Sequence, residues 1–257
     1  MKVAMMQPAF LPWQGFFELI CKSDVFIILD DFQYSVQSYH QRNRLFVNKG
    51  QVGWFTVPVK KTVSFNGALN HVLINEEIPW RIKMWKRIQQ NYSKAFYFHE
   101  ISPLIKEWLF CDYESLADQN IAFINLVCNI LDIRTVSKRS SEYTSRALRS
   151  NKILELLRWC DATHYLCARG SFGYMQEDAV FPVDDIEIFF QDFIPRPYTQ
   201  ICAKDEFVPF LSVLDALFNI GPSQTMKLIN NGTAKWCTWD DMVAVNREMI
   251  NAEGAPE

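Results

Sequence analysis

The first clear pattern along the chain is a short apolar run, Val3-Ala4-Met5-Met6, closed by Gln7-Pro8 and followed at helical length by Gly15 to Lys22. A second apolar run, Val25-Phe26-Ile27-Ile28-Leu29, comes next and has the length and continuity of a strand buried on both faces. The three segments predict a βαβ unit. A right-handed crossover brings the carboxyl ends of both strands to one sheet edge, where open α/β folds bind ligands, so Gln7 and Asp30-Asp31 are expected to meet there.

From Arg42 the pattern changes to alternation. Arg42-Asn43-Arg44-Leu45-Phe46-Val47, the turn signal Asn48-Lys49-Gly50 and Trp54-Phe55-Thr56-Val57-Pro58-Val59 predict an antiparallel hairpin, with Pro58 placing it at an edge. Helical spacing returns over 80–92, 102–110 and 116–131. Lys138 to Asn151 is polar and serine-rich and reads as a surface connection between two halves. Beyond it come a helix over 152–160, a strand over 163–167, a loop Ala168 to Gly173 at that strand's end and a strand over 186–190. A helix over 209–219 follows, stopped by Gly221-Pro222, and then an end from Asn251 to Glu257 expected to fray. The fold class is α/β: a mostly parallel Rossmann-like sheet with an edge β-hairpin and a helical layer inserted in the middle. The chain reads as one domain, with an N-terminal half over 1–78, a helical segment over 79–137 and a C-terminal half over 148–250.

Composition narrows the chemistry. Hydrophobic residues make up 49% of the 257 and charged residues 21%, and no apolar run reaches membrane-spanning length. The net charge of -3 gives no basic surface for nucleic acid, so a bound anion must meet a local basic cluster. Seven cysteines, without a CxxC pair, and an apolar start too short for a secretory signal point to reduced thiols and a cytoplasmic protein. Phosphate-loop, dinucleotide, zinc-finger and GxSxG patterns are all missing, so no cofactor or metal is named by motif.

The densest chemistry lies in Ser38-Tyr39-His40-Gln41-Arg42-Asn43-Arg44. In extended chain His40, Arg42 and Arg44 share one face, a fork suited to a carboxylate or phosphate; the alternative is that both arginines pair with Asp30 and Asp31. Asp30 and Asp31 themselves read either as turn residues or as cleft carboxylates able to hold a divalent ion. Asn120 interrupts the apolar stripe of its helix and needs partners, from a loop or a ligand. Asp215 is placed to bond Ser212 locally. Trp13, with Phe16 and Phe17 beside Pro8 and Pro12, is either a stacking platform or core.

Several blocks carry a resemblance. Gln7 to Ile20, Asp24-Val25-Phe26 and Asp30-Asp31-Phe32-Gln33 closely resemble the opening of the WbqC-like family. Arg42-Asn43-Arg44, Thr56-Val57-Pro58-Val59, Tyr165-Leu166, Tyr198 with Gln200, Phe207-Val208-Pro209 and Ser212 to Asp215 resemble its later blocks. Tyr39 stands where the family pattern has tryptophan, and Ala168-Arg169 replace a more glycine-rich approach to Gly170. The resemblance implies a setting in bacterial gene clusters for O-antigen and related surface polysaccharides, with a glycine- or acyl-transferring role. It also implies a site containing Gln7, Asp30, Asp31, Gln33, Arg42, Asn43 and Arg44. The opening is similar as well to nucleotidyltransferases with a HIGH signature, although the signature's histidines are absent here.

Two functions follow as expectations. One is a transferase that puts an acyl or aminoacyl group, glycyl among them, on a nucleotide-activated amino sugar or another small anionic substrate. In it Arg42 and Arg44 hold the anion, and Asp30, Asp31 and His40 supply acid-base chemistry. The other is a non-catalytic module that holds a glycan precursor or a glycosyltransferase. Either uses a single cleft at the strand ends of Gln7, Asp30-Asp31 and Cys167. That cleft takes Arg169, Ser171 and Tyr174 from the loops, with Asn120 reaching in from the helical layer.

Overall fold

The computed structural model describes residues 1–60 and 67–253. Six strands form one sheet in the order β5-β2-β1-β6-β7-β8: β1 (Lys2–Met6), β2 (Val25–Ile28), β5 (Val136–Arg139), β6 (His164–Ala168), β7 (Glu187–Gln191) and β8 (Cys237–Thr238). All neighbours run parallel except β7 and β8. The chain builds outward from β1 through β2 to β5, then returns to β1's other side for β6 and β7. The strand order therefore reverses between β1 and β6, the position where doubly wound sheets bind ligands beyond the carboxyl ends.

Period-two alternation divides the side chains of this sheet between two cores. Ala4, Phe26, Ile28 and Leu166 face the larger core, and Val3, Met5, Val25, Ile27, Tyr165 and Cys167 face the other. Both faces are thus covered, which explains why the central strands read as continuous apolar runs.

On the larger side lie α1 (Gln14–Lys22), the helical layer α2 (Trp80–Tyr92), α3 (Phe98–Phe110) and α4 (Leu116–Ile130), and α7 (Val213–Asn230). The smaller core is closed by α5 (Arg149–Trp159), α6 (Phe172–Asp178) and α8 (Trp239–Glu253). Ser115 caps α4 by accepting the Asp118 amide at 3.1 Å. The hairpin is β3 (Arg42–Asn48) and β4 (Gln51–Thr56), a separate two-stranded sheet over the larger core. No helix among the described residues is long and apolar enough to cross a membrane.

Three elements differ from the sequence expectation. Residues 138–151 are not a surface connection throughout: Val136–Arg139 is the outer strand of the parallel sheet, and Ser140 behind it is fully buried. Its polar residues hid it, because an outer strand needs only a partner on one side. The helix expected over 209–219 starts at Val213, capped by the Ser212 hydroxyl, and resumes past Gly221 after a kink. There the backbone φ of +72° and the Tyr97 ring, 2.6 Å from where a Cβ would sit, both require glycine. The last helix continues to Glu253, and 254–257, the remainder of the end expected to fray, lie outside the described residues.

Candidate functional site

Asp30 and Asp31 follow β2 directly, and the chain after β5 comes to meet them. Asp30 is 1% exposed. Its Oδ1 accepts the Ser141 amide at 3.1 Å and its Oδ2 the Ser141 hydroxyl at 2.7 Å. The Ser140 hydroxyl lies 2.6 Å from Asp31 Oδ1 and 3.2 Å from Asp30 Oδ1. Lys152 Nζ donates to Asp31 Oδ2 at 2.5 Å, and Arg139 bridges Asp118 at 3.0 Å and Asp30 at 3.9 Å. The acidic pair is therefore tied to Ser140, Ser141, Arg139 and Lys152, not to Arg42 and Arg44. Among the described residues no group of three or more His, Cys, Asp or Glu is placed to hold a metal ion.

The arginines sit elsewhere on the same sheet edge, and neither forms an ion pair among the described residues. Alternation in β3 buries Asn43 and leaves Arg42 and Arg44 on the opposite, half-buried face, with Arg44 directly across from Trp54. The Arg42 guanidinium lies 4.3 Å over the Trp54 ring, and Arg44 Nη2 approaches the Phe210 carbonyl at 3.5 Å. Both Nε atoms are buried with no hydrogen-bond partner among the described residues. An unpaired guanidinium is an unmet demand for an anion, since five donors in a fixed fork suit carboxylate or phosphate.

Arg44 lines a cavity of about 410 Å³ at the carboxyl end of β1. Met6, Ala9, Pro12 and Phe16 form its apolar floor; Trp13, Phe210 and Tyr39 are its aromatic walls; Asn43 and Arg44 complete it. Trp13 packs on Phe210 with ring centroids 5.4 Å apart and edge-on to Phe193 at 4.9 Å. It occupies the position before α1 and offers no side-chain cap, so the first turn of that helix keeps its positive end beside the cavity.

Other expected residues hold the frame. Asn120 is fully buried and donates to the carbonyls of Pro8 at 2.9 Å and His40 at 2.7 Å, so it ties the two loops instead of reaching into the cavity. Asn43 likewise donates to Phe10 and Leu11 carbonyls at 3.1 and 2.8 Å, and Leu11 there has a φ of 46°. Gln7 donates to the Gln33 carbonyl at 3.0 Å. His40 is buried, and burial pushes its pKa down to about 4. Its Nδ1 accepts the Ser35 amide at 3.3 Å, which places the proton of the neutral ring on Nε2. That ring is a donor near neutral pH, a poor general base.

Asp215 makes no side-chain bond to Ser212. It is fully buried and accepts from Tyr92 at 2.8 Å, Tyr198 at 2.7 Å and Gln200 at 2.8 Å, fastening α7 to α2 and to the loop before it. Burial raises its pKa, opposed by those three hydrogen bonds. Arg169 pairs with Asp192 at 2.5 Å, Ser171 directly precedes α6, and Tyr174 lies within α6, hydrogen-bonded to Tyr165 of the smaller core; none of the three lines the Trp13–Arg44 cavity. Phe210, Ser140, Ser141 and Lys152 escaped the sequence reading. The serines and Lys152 lie in or just beyond a stretch read as loop, and Phe210 lies in a segment read as helix.

An uncharacterized protein of Mycobacterium tuberculosis, Rv1507c, is 32% identical over 222 residues, spanning 86% of this chain and 94% of that protein. No solved structure matches. The WbqC-like protein family model matches residues 7–227, a span that contains all of the β1 cavity's lining but Met6, the acidic pair and the buried Asp215 cluster, and the chain therefore belongs to the WbqC-like protein family.

Proposed function

We propose that this protein is a cytoplasmic transferase of bacterial surface-polysaccharide assembly, one that places an acyl or aminoacyl group on a nucleotide-activated amino sugar held at the β1 cavity. The observation that carries the binding half of this reading is Arg44 in an aromatic cavity beyond the strand ends, with Arg42 beside it on the same face of β3 and neither paired with an acid among the described residues. Rings stack on Trp13, Phe210 and Tyr39, and Arg44 meets the phosphate. The transfer half rests on the resemblance set out above. In it the sugar amine attacks an activated acyl carbonyl, the new C–N bond replaces the bond to the donor's leaving group, and one amine proton is taken up. Of the three expected acid-base residues, His40 is occupied at Nδ1, Asp30 is sealed and both Asp31 oxygens are taken by Ser140 and Lys152, so the amine proton passes to water at the open mouth.

The same satisfied hydrogen bonds favour a second reading, a module that binds the sugar nucleotide without changing it. Calorimetry with UDP- and dTDP-linked amino sugars, followed by mass analysis after incubation with acyl thioester donors, separates the two. The expected result is binding by the wild type and roughly tenfold or greater weakening in Arg44→Ala with an unchanged melting temperature. Consumption of a donor supports the transferase; binding without consumption supports the module; no binding of any sugar nucleotide overturns both.

A further inference from the structure

The polar groups around the β1 cavity are distributed in a way that fixes which end of such a ligand goes inside. A pyranose presents hydroxyls on every side, and each one desolvated without a partner is costly. The cavity offers almost no partners. Asn43 has both amide protons committed to the Phe10 and Leu11 carbonyls, and its oxygen accepts the Arg44 amide at 2.8 Å. The remaining inner wall is Met6, Pro12, Phe16, Trp13 and Phe210. A nucleobase, in contrast, gains by laying its face on such a wall.

At the mouth the chemistry changes. Tyr39 is 52% exposed and Trp54 40%, their ring centroids 5.8 Å apart at 58°, with Arg42 behind Trp54. Both rings keep one side in water, where sugar hydroxyls stay hydrated while the ring's C–H face rests on an aromatic surface.

Resting on the reading above, we propose that the cavity takes the nucleobase, that it takes any base because no side chain of the inner apolar wall offers a group to read a base edge, and that the sugar lies outside on Tyr39. Arg44, between wall and mouth, then meets the phosphates. This orientation leaves the sugar amine facing water, where a donor can approach, and it moves specificity to the sugar end.

Calorimetry with UDP, dTDP, ADP and GDP, and saturation-transfer NMR on UDP-N-acetylglucosamine, test it. The four diphosphates are expected to bind within roughly fivefold of one another, since stacking is sequence-tolerant. The uracil H5 and H6 protons receive the strongest saturation. Tyr39→Ser, a change at a half-exposed residue, weakens saturation of the sugar and N-acetyl protons far more than that of uracil H5 and H6; Tyr39→Phe restores the sugar signals. The strongest saturation on the N-acetyl methyl, or a preference of about a hundredfold for one base, overturns the proposal while leaving the binding reading intact. If none of the four diphosphates nor the sugar nucleotide binds the wild type, the binding reading itself falls.

Discussion

The carboxyl edge of the sheet carries two polar groups that were expected to be one. At the end of β2, all four carboxylate oxygens of Asp30 and Asp31 accept a hydrogen bond, from two serines, a backbone amide and a lysine. On one face of β3, with Arg44 at the β1 cavity, two arginines have no carboxylate partner among the described residues and keep buried Nε atoms without partners there. Both groups consist of residue types associated with catalysis, and both lie where α/β proteins bind ligands. The difference is saturation. A polar group fully paired inside the protein is already in its final state and gains little from a ligand, whereas an unpaired one is stabilised by whatever completes it. The acidic end therefore reads as a clamp that fastens β5 and the start of α5 onto β2, and the arginine end as the proposed binding surface.

The sharpest way to break this division is to remove Asp30. Replacing it by alanine removes a buried carboxylate that accepts the Ser141 amide and hydroxyl and the buried Ser140 hydroxyl, and takes one carboxylate from Arg139, a loss of about 4 kcal/mol of stability. Urea unfolding should show that loss, while the folded fraction still binds UDP as the wild type does. Arg44→Ala is expected to do the reverse. If Asp30→Ala abolishes UDP binding at unchanged stability, the clamp is part of the site and the comparison is wrong.

The sequence carried much of this and hid one part. Runs such as Val25 to Leu29 are apolar on both faces because both faces of the sheet are covered, so the central strands and the βαβ opening were legible. Asn120 betrayed itself as a polar residue on an apolar stripe, and only the choice between loop and ligand was open. The pairing of Asp30 and Asp31 was not legible, because their serine partners, Ser140 and Ser141, lie about 110 residues away, just behind a strand, Val136–Arg139, whose side chains are half to fully exposed. Its register with β2 comes from backbone hydrogen bonds that hydropathy does not record. Arg42 and Arg44 could be placed on one face by counting, but whether that face met an acid depended on tertiary contacts alone.

A smaller effect probes the chain that joins the two groups, in which His40 is the buried seam between Tyr39 and Arg42. Its pKa falls from the ordinary 6.5 to about 4 because burial disfavours the charged ring. The unfolded chain therefore takes up a proton near pH 6.5 that the folded protein refuses until about 4. Stability from this residue is whole above 6.5 and declines as pH falls through that window, by up to about 3 kcal/mol. Unfolding at pH 7.5, 5.5 and 4.5 should show His40→Gln losing less stability than the wild type across the series. Parallel losses in the two proteins would mean that the ring titrates freely and that the seam is open to water.

The smallest expected change in stability is also the most selective for the arginine end. Gly15 lies in the first turn of α1, and an alanine there normally favours a helix by about 1 kcal/mol. Here the added Cβ would stand 2.3 Å from Trp13 Cη2 and 2.4 Å from Cζ2, so the indole has to swing off the helix. Trp13 is wedged against Phe193 and Phe210, so that movement costs roughly 1–3 kcal/mol of lost or forced packing and outweighs the helical gain. Gly15→Ala is expected to be destabilised by about 1 kcal/mol net, to change the near-ultraviolet circular dichroism of tryptophan, and to bind UDP at least about tenfold more weakly. The NMR amide positions of Ser140 and Ser141 should stay where they are, because the clamp does not touch Trp13. A variant more stable than the wild type, with UDP affinity intact, would show that the Trp13 wall gives way freely and that the cavity's shape is not what holds the ring.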